Sequence, residues 1–296
     1  MKVARARWTS ASFLTYTGGL TVLVAAFSLL GVISAEHGKG AFAGWSVVFF
    51  LAIEACAFAL RRRRRPVAAG IFAFVAVGMF AVMLGAFFDW FGWLHGGNGP
   101  FSGFHVGLLA VELLTIVVAL VALRVFRFPL LVFIVAGLGW YFVTDVLSSG
   151  GNWTALVTLF VGIVLFFIGL SIDGGDSRPY GFWVHFVAGL TVGGSLLYFW
   201  HSGDFRWTLI IIVSLVFNGI GSVARRSIWA VLGAVGLALA TGHFALDRGI
   251  SLGGESVSRP ENWVGPVAYL CLGFFYVLLG LMLARRGDAA DQTGAP

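Results

Sequence analysis

The chain has 296 residues, of which 59% are hydrophobic and only 11% are charged, whereas an ordinary soluble domain has roughly 25% charged residues. A soluble globule of this length needs polar residues over most of its surface, so the composition excludes a soluble enzyme, a nucleic-acid-binding domain and a disordered segment. The net charge of +6 would suit a nucleic-acid ligand in a soluble protein, but here the basic residues follow a membrane topology.

Ten apolar stretches are each long enough to cross a bilayer, which takes about 20 helical residues. Because these stretches are continuously apolar and do not alternate, they predict helices and not barrel strands. The predicted fold is an all-α polytopic membrane domain over 1–296 with no soluble domain. The spans lie near 12–34, 44–60, 67–88, 105–123, 129–147, 153–172, 182–200, 207–224, 228–246 and 266–284.

The lysines and arginines are distributed unequally between the two sides of this ten-span arrangement. Ten spans place both termini on one side, and fifteen of the nineteen Lys and Arg residues fall there, including the run Arg61–Arg65. Only Lys39, Arg206, Arg248 and Arg259 fall on the other side. Positive residues favour the cytoplasmic side, so the tally predicts cytoplasmic N and C termini in a plasma (inner) membrane.

Glycine and tryptophan positions suggest an internal repeat of 54 residues. Gly31, Gly85, Gly139 and Gly193 are each 54 residues apart, and Trp45, Trp153 and Trp207 fit the same period. The pattern predicts five helical hairpins in the same orientation. Glycines inside spans allow helices to approach closely, so we expect close contacts at the pairs Gly18-Gly19 and Gly193-Gly194.

Two carboxylic acids lie within predicted spans, Glu54 in the second and Glu112 in the fourth. An acid inside the membrane is costly, and it marks ion or proton handling unless it serves only as a hydrogen-bonding link between helices. His105, seven residues before Glu112, lies on the same helix face at the outer end of the span. The sequence therefore predicts Glu54 and Glu112 as coupling acids, with His105 as an outer proton relay.

Histidines and acidic residues also collect near the predicted outer face. Such groups can build a metal or haem site, although ionisable residues also gather simply where water begins. No zinc-binding spacing is present to favour the metal. The candidate outer-face cluster contains His37, His95, His201, His243, Asp204 and Asp247.

Three functions remain open from the sequence. The first is a proton- or cation-coupled carrier of a small solute that uses the buried acids. The second is a non-catalytic membrane subunit or scaffold of a larger complex, and the third is an outer-face metal or haem redox component. Enzyme activity is not favoured, because no phosphate-binding loop, nucleophile elbow or dinucleotide fingerprint is present. The sequence indicates no particular cofactor. The expected partners are the lipid bilayer and other membrane proteins or a second copy of the chain, not nucleic acid.

Overall fold

The computed structural model describes residues 10–93, 106–147, 150–173, 178–200, 202–223, 227–248 and 264–292. All the regular elements within these ranges are helices, which confirms the all-α class. A π-helical segment, His243–Arg248, follows the eighth helix. The helices are α1 Ser10–Arg62, α2 Pro66–Trp90, α3 Val106–Phe126, α4 Leu131–Leu147, α5 Gly151–Ile172, α6 Arg178–Trp200, α7 Asp204–Val223, α8 Ser227–Gly242 and α9 Val264–Gln292.

Helix α1 is interrupted at Gly38, whose backbone angles of φ 77° and ψ −177° are accessible essentially to glycine alone. A straight helix of this length would measure about 80 Å, far more than the hydrocarbon thickness of about 30 Å. Leu30 and Ile53 lie on either side of Gly38 in the chain, yet both pack in one buried cluster with Val75 and Met79 of α2. The chain therefore folds back at Gly38.

Seven helices in the described part of the chain are long and apolar enough to cross a membrane, and they indicate an integral membrane protein. The apolar helices Leu131–Leu147 and Val264–Leu279 are shorter. The ten-span count and the five-hairpin repeat remain predictions. The seven long helices are Val24–Arg62, Pro66–Trp90, Gly107–Phe126, Gly151–Ile172, Arg178–Trp200, Asp204–Ser222 and Ile228–Ala245.

The glycines that allow close packing are not those expected from the sequence. At Gly18, Gly193 and Gly194 an added Cβ would meet no described atom within 4 Å, so the expectation of close contacts was wrong at these three positions. The same holds for the four glycines of the 54-residue period. A glycine allows close packing only where another helix lies against it, and the spacing of glycines along the chain does not show where that is. Gly19 lies outside the side chains that the structure describes.

The chain divides into two compact units, Met1–Ala188 and Gly189–Pro296. In the first unit, small buried side chains of α2, including Ala69 and Ala73, share a cluster with Ala57 of α1 and Ala119 of α3. Phe128, between α3 and α4, lies against Gly70 of α2 so closely that no Cβ would fit there. This contact fixes the turn that joins α3 to α4.

In the second unit, α7 and α8 pack along small residues. A Cβ added to Gly233 would lie 2.5 Å from both the Ser214 carbonyl oxygen and Asn218 Nδ2, and one added to Gly221 would lie 2.7 Å from the Ala230 amide nitrogen. Close approach through glycine is typical of helix pairs in membranes. Asn218 Nδ2 donates to the Ser214 carbonyl oxygen at 2.9 Å, so this polar side chain is satisfied inside the seam.

Candidate functional site: a buried acid between α3 and α4

Glu112 is a buried acid of the first unit. Its side chain lies on α3 and is only 3% exposed, and neither carboxyl oxygen has a hydrogen-bond partner among the described residues. Thr115, one turn further along the same face, is also buried, but its hydroxyl donates to the Val111 carbonyl oxygen at 2.6 Å. The nearest buried hydroxyl on α3 therefore donates to its own helix and not to the carboxyl group.

The hairpin geometry places Asp145 at the level of Glu112. Residues 127–130 join α3 to α4, and so short a connection makes the two helices antiparallel neighbours. Glu112 lies fourteen residues before the end of α3, and Asp145 lies fourteen residues after the start of α4. Both positions are about 21 Å along the helix from the turn.

The electrostatics of the site agree with this register. The Asp145 carboxylate lies close enough to Glu112 for their negative charges to repel each other, and the charges of both acids act on the hydroxyl group of Tyr141. Tyr141 precedes Asp145 by one turn of α4 and therefore shares its face. Asp145 is only half-buried, since it lies two residues before the end of α4. The site thus consists of a buried acid, a second acid nearer the helix end and a phenol.

Glu54, the other acid predicted within a span, lies on α1 and is half-buried. Its role as a coupling acid stays a prediction. The described carboxylate whose negative charge acts on Glu112 is that of Asp145. His105 immediately precedes the first described residue of α3 and lies outside the described residues. The relay from His105 to Glu112 therefore remains a prediction.

The outer-face cluster is partly assembled in the second unit. His243 Nε2 lies 3.3 Å from Asp204 Oδ1, and its ring stacks on Trp207 with centroids 4.6 Å apart. His243 also opens the π-helical segment, a feature frequent at functional sites. The structure thus brings together two of the six predicted residues, one from the start of α7 and one from the segment that follows α8.

One other member of that cluster, His37, has a side chain that the structure describes. His37 lies 3.9 Å from its neighbour Glu36, and both side chains are well exposed. His95, His201 and the Asp247 side chain lie outside what the structure describes. Among the described residues, no group of three His, Cys, Asp or Glu side chains could hold a metal ion.

A buried His–Asp pair was not among the candidate site residues. His185 of α6 is completely buried, and its Nε2 lies 3.0 Å from Asp173 Oδ2 at the end of α5. Gly169 faces the ring so closely that a Cβ would lie 2.8 Å from His185 Cε1. The short connection between α5 and α6 was the available signal, because it brings the end of one helix beside the start of the next.

Comparison with protein-family models, with curated proteins and with solved structures finds no match for this chain.

Proposed function

We propose that this membrane protein is a proton- or cation-coupled carrier of a small solute that also conducts protons when the solute is absent, and that Glu112 is the coupling acid. The observation that supports this proposal is the burial of both Glu112 carboxyl oxygens without a hydrogen-bond partner among the described residues. Buried polar groups in proteins are otherwise almost always hydrogen-bonded. A buried polar group without a hydrogen bond destabilises the fold, and a functional role for Glu112 explains why such a group is present.

The alternative role for Glu112 is a structural link between helices. Such a role requires the carboxyl group to hydrogen-bond a neighbouring helix, as Asn218 does toward Tyr276 of α9 at 3.5 Å. Glu112 makes no comparable bond within the described ranges. A buried carboxyl group is stable only if it is protonated or, when ionised, has a cation beside it. Exchange between these states is the chemistry that a coupled carrier needs.

The proposed topology places this acid toward the outside of the cell. The bias of Lys and Arg assigns the turns at 63–65 and 127–130 to the cytoplasm and both termini with them. Glu112 and Asp145 then lie toward the outer end of their hairpin. His105 remains our proposed outer relay, and Glu54 remains a proposed second acid on a separate helix.

The exposed surface gives little support to the scaffold alternative. Helix α5 exposes a row of bulky apolar side chains at intervals of three and four residues, from Trp153 through Phe160 to Phe167. Interfaces between membrane helices are typically built from small residues, so this row suits contact with lipid tails. Stable co-purification of a partner protein would nevertheless favour the scaffold.

Proton uptake by vesicles tests the proposal. The full chain is reconstituted in liposomes that contain potassium chloride and a pH-sensitive dye, and valinomycin then makes the interior negative. Wild-type vesicles should acidify faster than protein-free vesicles, and Glu112→Gln should lower that rate by about tenfold or more, a change of about 1.4 kcal/mol in the barrier. Thr115→Val, a neighbouring buried substitution that leaves the acid in place, should retain the rate.

Two outcomes would contradict the proposal. The first is proton uptake no faster in wild-type than in empty vesicles, which would leave the scaffold reading. The second is an unchanged rate in Glu112→Gln protein that inserts and purifies as the wild type does. A loss in Glu54→Gln as well would extend the coupling role to α1.

A further inference from the structure

Asp145 gives Glu112 a specific chemical neighbour, and the inference drawn from it rests on the function proposed above. We propose that Glu112 and Asp145 form a carboxyl pair that holds one exchangeable proton between α3 and α4, in preference to a metal cation, and that Asp145 is the group through which this proton enters from the outer end.

The pairing follows from backbone geometry, and the electrostatics of the two acids agree with it. The two residues lie the same number of residues from the turn at 127–130 along their helices. The negative charge of Asp145 also interacts with that of Glu112. The Glu112 side chain is more than nine-tenths buried, with both oxygens unpartnered in the described part of the chain. Two carboxyl groups that share a site cannot both ionise easily, so such a pair retains a proton.

The ligand set favours a proton over a metal ion. Hard cations such as calcium and magnesium need six or more oxygen ligands. Among the described residues, Asp145 is the acid whose charge acts on Glu112, and both acids act in turn on the hydroxyl group of Tyr141. The described residues contain no group of three His, Cys, Asp or Glu that could hold a metal. A proton needs only one carboxyl oxygen to bind and one further oxygen to which it can transfer.

The difference in burial between the two acids sets the direction in which a proton enters the pair. Asp145 is half-buried near the end of α4, whereas Glu112 is enclosed. Once the pair has released its proton, an incoming proton forms an O–H bond on the Asp145 carboxylate and changes the charge of the pair from −2 to −1. That bond then breaks as an O–H bond forms on the Glu112 carboxylate, and the charge of the pair stays at −1 during this transfer.

Infrared difference spectroscopy of the full chain in lipid vesicles tests the pair without requiring transport. A protonated carboxyl group has a C=O stretching band that shifts when H₂O is replaced by D₂O, and an ionised carboxylate lacks this band. Near neutral pH we expect one such band in the wild type. The band should be lost or displaced in Glu112→Gln and shifted in Asp145→Asn, since the partner group has changed.

Controls separate the pair from general structural effects. Asp204→Asn removes an acid from the second unit and should leave the band unchanged, while Asp145→Glu keeps the second carboxyl group and should retain the band. The intensity should also be the same in sodium, potassium and choline chloride. A band that disappears when sodium or potassium replaces choline would show that a metal cation displaces the proton, and it would overturn the assignment.

Three further outcomes would also refute the pair. One is the absence of any band that depends on Glu112. Another is a Glu112 band that Asp145→Asn does not change, which breaks the pairing but leaves the proposed function intact. The last is two separate bands near neutral pH, each removed by one substitution, which would mean that both acids are protonated and share nothing. Failure of the proposed function appears in the uptake assay, as a rate that Glu112→Gln does not change.

Discussion

Replacement of Glu112 by methionine should stabilise the protein while it abolishes function. The side chain is 3% exposed and its two oxygens have no hydrogen-bond partner among the described residues. Burial of an unsatisfied polar group costs about 1–3 kcal/mol as judged from mutational data. Methionine has a similar length, fills the space without an unpaired oxygen and adapts to irregular gaps. We therefore expect Glu112→Met to raise the free energy of unfolding by about 1–3 kcal/mol.

The matched control for this prediction lies one turn away. Thr115 is equally buried on the same helix, but its hydroxyl is bonded to the Val111 carbonyl oxygen. Thr115→Val should lower the free energy of unfolding by about 0.5–1.5 kcal/mol, because a satisfied hydrogen bond is lost. Both variants can be measured by equilibrium unfolding in mixed detergent micelles, followed by tryptophan fluorescence. A loss of more than about 1 kcal/mol in Glu112→Met would contradict the prediction, since it would show that the carboxyl group holds helices together.

Two further predictions concern packing and topology. Gly233→Ala should lower the free energy of unfolding by about 1–3 kcal/mol, since its Cβ would meet the Ser214 carbonyl oxygen, whereas Gly219→Ala, which meets no described atom within 4 Å, should be neutral or stabilising in the same assay. With Cys56 and Cys271 replaced by serine, an impermeant thiol reagent outside intact cells should label Ser202→Cys but not Arg63→Cys, and the reverse pattern would contradict the orientation.

The helical class and the buried acid could both be predicted from the sequence. Continuous apolar runs leave a chain few options in lipid, because the helix satisfies every backbone group within the segment. An acid in the middle of such a run, as at Glu112, must then lie at depth. These conclusions depend only on local composition, and composition is directly visible in the sequence.

The identity of the partner acid was harder to predict. We predicted Glu54 and Glu112 as coupling acids because both lie inside spans, and Asp145, whose negative charge acts on Glu112, was not among the predicted residues. The turn at 127–130 would have given this register by counting from either side. No short turn joins α1 to α3, so the sequence does not show whether Glu54 lies near Glu112. That depends on how these two helices pack.

The interruption at Gly38 and the close glycine contacts also escaped prediction. We expected a loop between 34 and 44, but α1 is helical on both sides of Gly38 and changes direction at that one residue. At Gly233 the need for glycine comes from Ser214 and Asn218 on the facing helix. In both cases the determining fact is a backbone angle or a neighbour in space, and neither has a signature in residue spacing.

The most direct measurement of the central claim is the initial rate of potential-driven proton uptake in vesicles that contain Glu112→Gln, compared with wild type at equal amounts of inserted protein. Glutamine keeps the length and polarity of the side chain but cannot release a proton. We expect a rate lower by about tenfold or more, and a protein no less stable to unfolding than the wild type. An equal rate would contradict the role of Glu112 as the coupling acid.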